Sequence, residues 1–323
     1  MSRHLCIYLN FPEEHHKVQI AATAEKLGFT AHFFRLNQLE EAKKCVQNCE
    51  VLFAHDANLL AAAPATLQWY HCACAGVDNY CANPALFANP DCLLTNSNCY
   101  GVTIAEHVVM VTLMMLRKMP EYIDIVRQRR WDNQLPIRSI QGSRFTLLGT
   151  GDIGTEIARR LRAMNAGSIT GVSRSGAPKP EFDEVLPISR LDEILPQTDV
   201  LVAALPSTPE TVGLMNRERF SLLPKDAYFI NVGRGTLVEQ ESLAQLLRDG
   251  ELAGAALDVM MPEPLPQDHF LWETPNLILT PHVSGNTTLA HTRNAIVDLF
   301  CRNLEHYVLG RPLENLVDRT LGY

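Results

Sequence analysis

No apolar run in this sequence is long enough to cross a membrane. The longest, Val108–Leu116, falls far short of the roughly 20 residues a spanning helix needs. The opening stretch, MSRHLCIYLNFPEE, has a basic start but only a short apolar segment before Pro12 and two acids, which is not the pattern of a signal peptide. A basic run is missing too. With 28 Lys and Arg against 36 Asp and Glu, the net charge is −8, which argues against nucleic acid or an anionic membrane as the main partner. There are no internal repeats and no low-complexity tracts. The nine cysteines are odd in number, in a chain large enough to need no covalent staples. They read as reduced thiols serving as small apolar residues in a cytoplasmic protein. His71, Cys72 and Cys74, and the pair Cys45 and Cys49, have no second ligand pair at finger-like spacing, so packing rather than a metal accounts for them.

What remains is an ordinary globular composition, 46% apolar and 20% charged, over 323 residues, which predicts two domains. The first hundred residues alternate strands and helices. Strands are expected at Leu5–Leu9, His32–Leu36, Val51–Ala54, Leu67–His71 and Cys92–Asn96, and helices at His16–Leu27 and Leu39–Cys49. Such alternation implies a mostly parallel sheet. A longer helix is expected from Val102 to about Met119, ended near Pro120, with a polar stretch, Arg127–Arg144, leading onward. Trp69 and Trp131 read as packing anchors. Met110, Met114, Met115 and Met119 have helical spacing and read as interdomain core or dimer interface.

A second alternating unit follows. Its strands are expected at Phe145–Gly149, Ser168–Val172, Leu201–Leu205, Tyr228–Val232, Ala255–Val259 and Leu277–Thr280, which predicts a six-stranded doubly wound unit. A last helix, about Leu289 to Leu309, is too long and too apolar on one face to end that unit, and is expected to cross back to the first domain. The expected fold is α/β: two Rossmann-like or flavodoxin-like domains with doubly wound parallel sheets. The substrate domain is discontinuous, 1–99 plus 284–323, and 100–283 binds a dinucleotide.

Gly149-Thr150-Gly151-Asp152-Ile153-Gly154 is a G-x-G-x-x-G between an apolar strand and a helix, the context that gives this pattern meaning. Gly149 permits the tight turn, Gly151 a close approach to a pyrophosphate, and Gly154 close helix–strand packing. The helix start supplies amide donors and partial positive charge. An NAD-preferring unit has an acid about 20 residues on. Here the second strand ends in Ser173-Arg174-Ser175, without one. A guanidinium between two hydroxyls suits a 2′-phosphate, which predicts NADP(H) preference with NAD(H) possible. The alternative is that Arg174 only stacks on the adenine.

Three further segments are Asn231-Val232-Gly233-Arg234-Gly235, Met261-Pro262-Glu263-Pro264-Leu265-Pro266 and Thr280-Pro281-His282-Val283-Ser284-Gly285. With the glycine-rich loop, Leu257-Asp258-Val259, Cys74-Ala75-Gly76-Val77-Asp78 and Ile104-Ala105-Glu106-His107, they make the chain resemble the D-isomer-specific 2-hydroxyacid dehydrogenases over nearly its whole length. The chemistry of the residues agrees. Reducing a 2-oxo acid needs an anion clamp and a proton donor beside the hydride source. Arg234 offers two parallel donors to a carboxylate and can polarise the ketone oxygen. His282 can give a proton to the developing alkoxide and take it back. Glu263 would hold the other imidazole nitrogen, its charge favouring the imidazolium.

The resemblance further implies that the Ala75 and Gly76 amides bind the substrate carboxylate. It implies that Asp258 binds the nicotinamide carboxamide and that Val232 and Gly233 line the cofactor ribose. Leu205, Pro206 and Ser207 would pack near the adenine ribose and pyrophosphate, and Thr103 near the nicotinamide. Substrate would lie in a cleft that closes between the domains of a homodimer. Glyoxylate and hydroxypyruvate are the leading substrates, with ketopantoate or a branched 2-oxo acid next. Tyr100, Val77, Met260 and Met261 are candidates for an apolar pocket. From another class, the same fold serves nicotinamide-binding corepressors. Two departures from the family pattern stand out: Gln141-Gly142-Ser143 replaces the common Leu-x-Gly-Lys, and Ser284 stands where Ala or Gly is usual, neither expected to alter the chemistry.

Overall fold

The computed structural model describes residues 3–322. The chain divides into two compact units, Met1–Tyr100 with Asn286–Tyr323, and Gly101–Gly285. The first holds β1 (Arg3–Tyr8), β2 (Phe29–Phe34), β3 (Val51–Ala54), β4 (Trp69–Cys72) and β5 (Leu93–Asn96), all parallel, in the order β2-β1-β3-β4-β5. That is the flavodoxin-like order. The central strands β3 and β4 are buried at every residue, as parallel strands covered on both faces must be. Strand β2 starts three residues earlier than expected, because Gly28, at φ +79, turns helix Glu14–Lys26 straight into register with β1, pairing Phe29 with Arg3.

Helix Ala290–Val308 packs on helix Glu14–Lys26, where His16 Nε2 lies 2.8 Å from Asn294 Oδ1. Its Phe300 stacks on Phe53 and Trp69, with ring centres 4.3 and 5.4 Å apart. Trp69 is thus a buried anchor, its indole N–H donating to Thr95 Oγ1 at 2.8 Å. Val77 also lies in this unit's core rather than lining a pocket, and Tyr100 is buried with its hydroxyl donating to the Ala73 carbonyl.

The second unit carries seven strands: β6 (Arg144–Leu148), β7 (Ser168–Ser173), β8 (Glu184–Pro187), β9 (Val200–Ala203), β10 (Tyr228–Asn231), β11 (Gly254–Leu257) and β12 (Leu277–Leu279). Their order is β12-β11-β10-β9-β6-β7-β8, parallel throughout. The expected six becomes seven because β8 is a short edge strand with an exposed acid and a proline, features that read as loop in the sequence. The order reverses between β6 and β9, which places the ligand crevice of such sheets there.

The helix expected to run to Met119 is two helices. Gly101–Leu116 ends first, Lys118 adopts a left-handed φ of +56, and Met119–Arg127 begins with Pro120 in its first turn. A proline read as a stop is a start here, since the first turn has no use for its missing amide hydrogen. Trp131 is 97% exposed, so it is not the packing anchor expected. Met115 is buried while Met110 and Met119 are exposed, and Met260 sits in the core, which removes it from the expected pocket. Among the described residues, no helix is long and apolar enough to cross a membrane.

Candidate active site

The glycine-rich loop joins β6 to helix Asp152–Ala163. Gly149 has φ +107, and a Cβ there would stand 2.7 Å from the Ala204 carbonyl oxygen, so the loop lies directly against the exit of β9 across the reversal in strand order. A Cβ on Gly154 would fall 2.0 Å from the Gly149 oxygen, which only glycine tolerates. At Gly151 a Cβ would meet nothing within 4 Å. The open side of the loop therefore faces the start of the helix, with Ile153 in its first turn, and this fits a dinucleotide pyrophosphate held by backbone amides. The Asp152 carboxylate is turned elsewhere. It accepts the Gly101 N–H at 2.9 Å, capping the helix that carries Thr103 on its first turn. Burial pushes the Asp152 carboxyl up, against the pull of that amide.

Beyond β7, Ser173 and Ser175 accept the Gly176 and Ala177 amides through their hydroxyl oxygens, which keeps each O–H available to donate, while Arg174 is exposed. Lys179, not foreseen from the sequence, donates its ammonium to the Thr150 carbonyl within the glycine-rich loop. A lysine between two prolines signals only a turn; the fold alone brings it back to the loop. Beyond β9, Leu205, Pro206 and Ser207 are half-buried, and Ser207 Oγ lies 2.9 Å from Thr236 Oγ1.

The loop after β10 is threaded through two backbone contacts. A Cβ on Gly233 would be 2.6 Å from the Leu205 oxygen, and one on Gly235 2.3 Å from Met260. The two glycines let the chain pass, and Arg234 stands between them, half-buried, with Nη1 donating to the Gly233 carbonyl at 2.8 Å. Asn231, the last residue of β10, ties the loop at both ends: it accepts Gly233 N–H and donates to the Arg234 carbonyl. Val232 is buried beneath it.

Glu263 and His282 follow β11 and β12. Glu263 Oε1 accepts the Met260 N–H at 2.9 Å, and its Oε2 lies 2.7 Å from His282 Nδ1. A carboxylate oxygen only accepts, so the proton of this pair resides on Nδ1 and the ring is held with Nε2 directed away from it. His282 takes a left-handed φ of +53, unusual for a residue with a side chain.

Asp258 explains how that conformation is held. Its backbone oxygen accepts the His282 N–H at 2.9 Å. Its Oδ1 accepts Thr280 Oγ1 at 2.6 Å and Val283 N–H at 2.9 Å, and its Oδ2 accepts Ser284 N–H at 2.9 Å. Ser284, the serine that departs from the family pattern, is buried here and meets this carboxylate through its backbone N–H. Burial acts to raise the Asp258 carboxyl, but these donors outweigh it and hold it below the usual range. With 1% exposure and both oxygens occupied, the Asp258 side chain grips the segment bearing His282. His107 Nε2 lies 3.4 Å from Thr280 Oγ1 and extends this chain of contacts; burial pushes its imidazole down, against the nearby Asp258 charge. Thr280 was legible only as the neighbour of Pro281-His282.

Arg234, Glu263 and His282 thus all stand past the carboxyl ends of adjacent strands, while Met261 is exposed beside Glu263. On the other unit, Ala75 and Gly76 leave the carboxyl end of β4, and Asn96 Nδ2 donates to the Ala75 carbonyl at 2.6 Å.

Comparison with known proteins agrees with this geometry. Residues 109–284 match the family model described as D-isomer specific 2-hydroxyacid dehydrogenase, NAD binding domain. Glyoxylate/hydroxypyruvate reductase A of Salmonella newport is 33% identical over 223 residues, 69% of this chain and 70% of that protein. A D-isomer specific 2-hydroxyacid dehydrogenase family protein from Aeromonas salmonicida superposes with a TM-score of 0.85 at 32% identity, covering 99% of this chain and 100% of that one. An NADPH-dependent glyoxylate/hydroxypyruvate reductase from Sinorhizobium meliloti, solved with NADP and sulfate, gives the same TM-score and coverage at 27% identity. Sequence kinship over two thirds of a curated relative, a matching fold over both units and a glycine loop shaped for a pyrophosphate converge: the chain belongs to the D-isomer-specific 2-hydroxyacid dehydrogenase family, enzymes that interconvert 2-oxo and 2-hydroxy acids with a nicotinamide cofactor.

Proposed function

We propose that this protein is a cytoplasmic, NADPH-preferring reductase of glyoxylate and hydroxypyruvate, giving the D-2-hydroxy acid where the product is chiral, and that Arg234, Glu263 and His282 carry the reaction. The observation that carries this reading is the His282–Glu263 pair at 2.7 Å beyond β12 and β11. The bound nicotinamide supplies the hydride. Arg234, fixed by its flanking glycines, binds the substrate carboxylate and polarises the ketone oxygen. His282, its Nδ1 held by Glu263, presents Nε2 to the alkoxide and delivers the proton there. Asp258 acts through the 280–284 segment, keeping His282 in its left-handed conformation.

Preference for NADPH is supported by the pair of hydroxyls around Arg174, by Lys179 beside the glycine loop and by the absence of an acid at positions 173 and 174. A homodimer is supported by the exposed apolar side chains of Met110, Met119, Val126 and Trp131, which follow one another within the second unit.

The test is the loss of reduced-nicotinamide absorbance with NADPH or NADH across glyoxylate, hydroxypyruvate, pyruvate, ketopantoate and 2-oxoisocaproate. Fastest turnover of the first two with NADPH is expected. Highest kcat/KM with ketopantoate or 2-oxoisocaproate would overturn the substrate assignment. Tight cofactor binding without turnover of any acid would instead favour a corepressor-like binding role.

A further inference from the structure

Three cysteines and two histidines converge in the first unit, away from the loop that holds Ala75 and Gly76. His4 and Cys6 are two residues apart on β1 and share one face of the sheet, and Cys6 is the register partner of His32 on β2. Helix Leu39–Val46 packs on these two strands. It carries Cys45 near its end, and Cys49 follows one turn later, just before the amino end of β3. The Cys45 and Cys49 sulfurs are 3.7 Å apart, and His4 Nδ1 lies 3.1 Å from His32 Nε2. Cys6 and Cys49 are buried, as thiols used for packing are, whereas Cys45 is half-exposed. Together with His4, His32 and Cys49, it lines an open cavity of about 930 Å³. Among the described residues, no such cluster is arranged to hold a metal ion.

The three thiols are unequal. The Cys49 S–H donates to the Cys45 carbonyl at 3.3 Å, and its sulfur beside Cys45 holds that thiol below the usual range, with the His32 and His4 imidazoles adding to the pull. Cys49 and Cys6, beside Cys45 in that cluster and buried, are pushed up. The accessible sulfur of Cys45 is thus the one favoured as thiolate, and the buried Cys49, its S–H turned to the Cys45 carbonyl, sits 3.7 Å from it.

We propose that Cys45 and Cys49 are a peroxide-oxidisable dithiol, with Cys45 as the attacking sulfur and Cys49 as the resolving one. In the first step the Cys45 thiolate attacks one oxygen of hydrogen peroxide. The S–O bond forms, the O–O bond breaks, and hydroxide leaves to be protonated to water. In the second step Cys49 sulfur attacks the Cys45 sulfenic acid. The S–S bond forms, the S–O bond breaks, and hydroxide departs with the Cys49 proton as a second water. Two thiols lose two electrons and two protons, and one peroxide becomes two waters. The sulfurs need only close from 3.7 Å to the roughly 2.05 Å of an S–S bond.

Treating the whole protein with a small excess of hydrogen peroxide, alkylating the remaining thiols and cleaving after glutamate isolates this pair in the segment 42–50, which contains no other cysteine. The expected result is that this peptide becomes about 2 Da lighter and resists alkylation, at least about ten-fold faster than any other cysteine reacts, and that a dithiol reductant reverses the change. In Cys49→Ser, Cys45 should accumulate as a sulfenic acid that dimedone traps. The proposal is overturned if Cys74, Cys99 or another thiol oxidises first, if Cys45 gains oxygen without forming the disulfide, or if Cys45 pairs with Cys6. The mapping on the unaltered protein decides between these outcomes even if the variant fails to fold.

Discussion

Replacing Asp258 by asparagine (Asp258→Asn) should damage both stability and turnover, and the size of the effect follows from the donors it serves. The carboxylate accepts Thr280 Oγ1 and Val283 N–H on one oxygen and Ser284 N–H on the other. An amide has one acceptor oxygen. Whichever way the introduced amide points, its NH2 faces at least one backbone N–H in a site only 1% exposed. A stranded buried amide costs about 1–3 kcal/mol, and the bonds that survive lose their charge assistance, so about 2–4 kcal/mol in total is expected. For a unit of this size that is a fall in Tm of about 4–16 °C, readable by calorimetry as a shift in the transition of the second unit. The sign with pH is also determined. The native donors hold the Asp258 carboxyl below its unfolded value, so its stabilisation is complete above the ordinary carboxylate range and is lost as pH falls through the lowered native value. The difference between parent and variant should therefore shrink only in strong acid. Because the same bonds hold the segment carrying His282, kcat should fall by about ten-fold or more while NADPH affinity changes less. A Tm within about 1 °C of the parent's, with unchanged kcat, would refute the reasoning.

His282→Ala should lower turnover by about 10²–10⁴, the range for losing a general acid, with little change in NADPH binding measured by fluorescence titration; surviving turnover would remove the proton-donor role. Arg174→Ala should raise the KM for NADPH far more than that for NADH, since only NADPH carries the phosphate the guanidinium would meet; equal losses would contradict the assignment.

Much of the fold was legible because parallel strands buried on both faces leave continuous apolar runs. Val51–Ala54 is found where the sequence placed it, and the exits of β10, β11 and β12 coincide with the motifs that carry Arg234, Glu263 and His282. Strand β8 and the helix after Lys118 were missed for reasons of chemistry. Strand β8 sits at an edge, where burial imposes no apolar run, and helix Met119–Arg127 opens on Pro120, a residue that equally ends helices. Trp131 was misjudged because size and apolarity predict burial on average, not at a given site.

The amino-acid sequence by itself determined the alternation of strands and helices, the glycine loop and the motifs that hold the three side chains proposed to carry the reaction, since each depends on local spacing and on residue chemistry. Only the tertiary structure decided which atoms meet. It turned the Asp152 carboxylate toward Gly101, closed both Asp258 oxygens on the 280–284 segment, returned Lys179 to the glycine loop that precedes it in the chain, and set Cys45 beside Cys49 and Cys6. Those contacts join residues from different turns and strands, so they depend on strand order, register and the twist that brings the ends together, quantities that no local window of sequence contains.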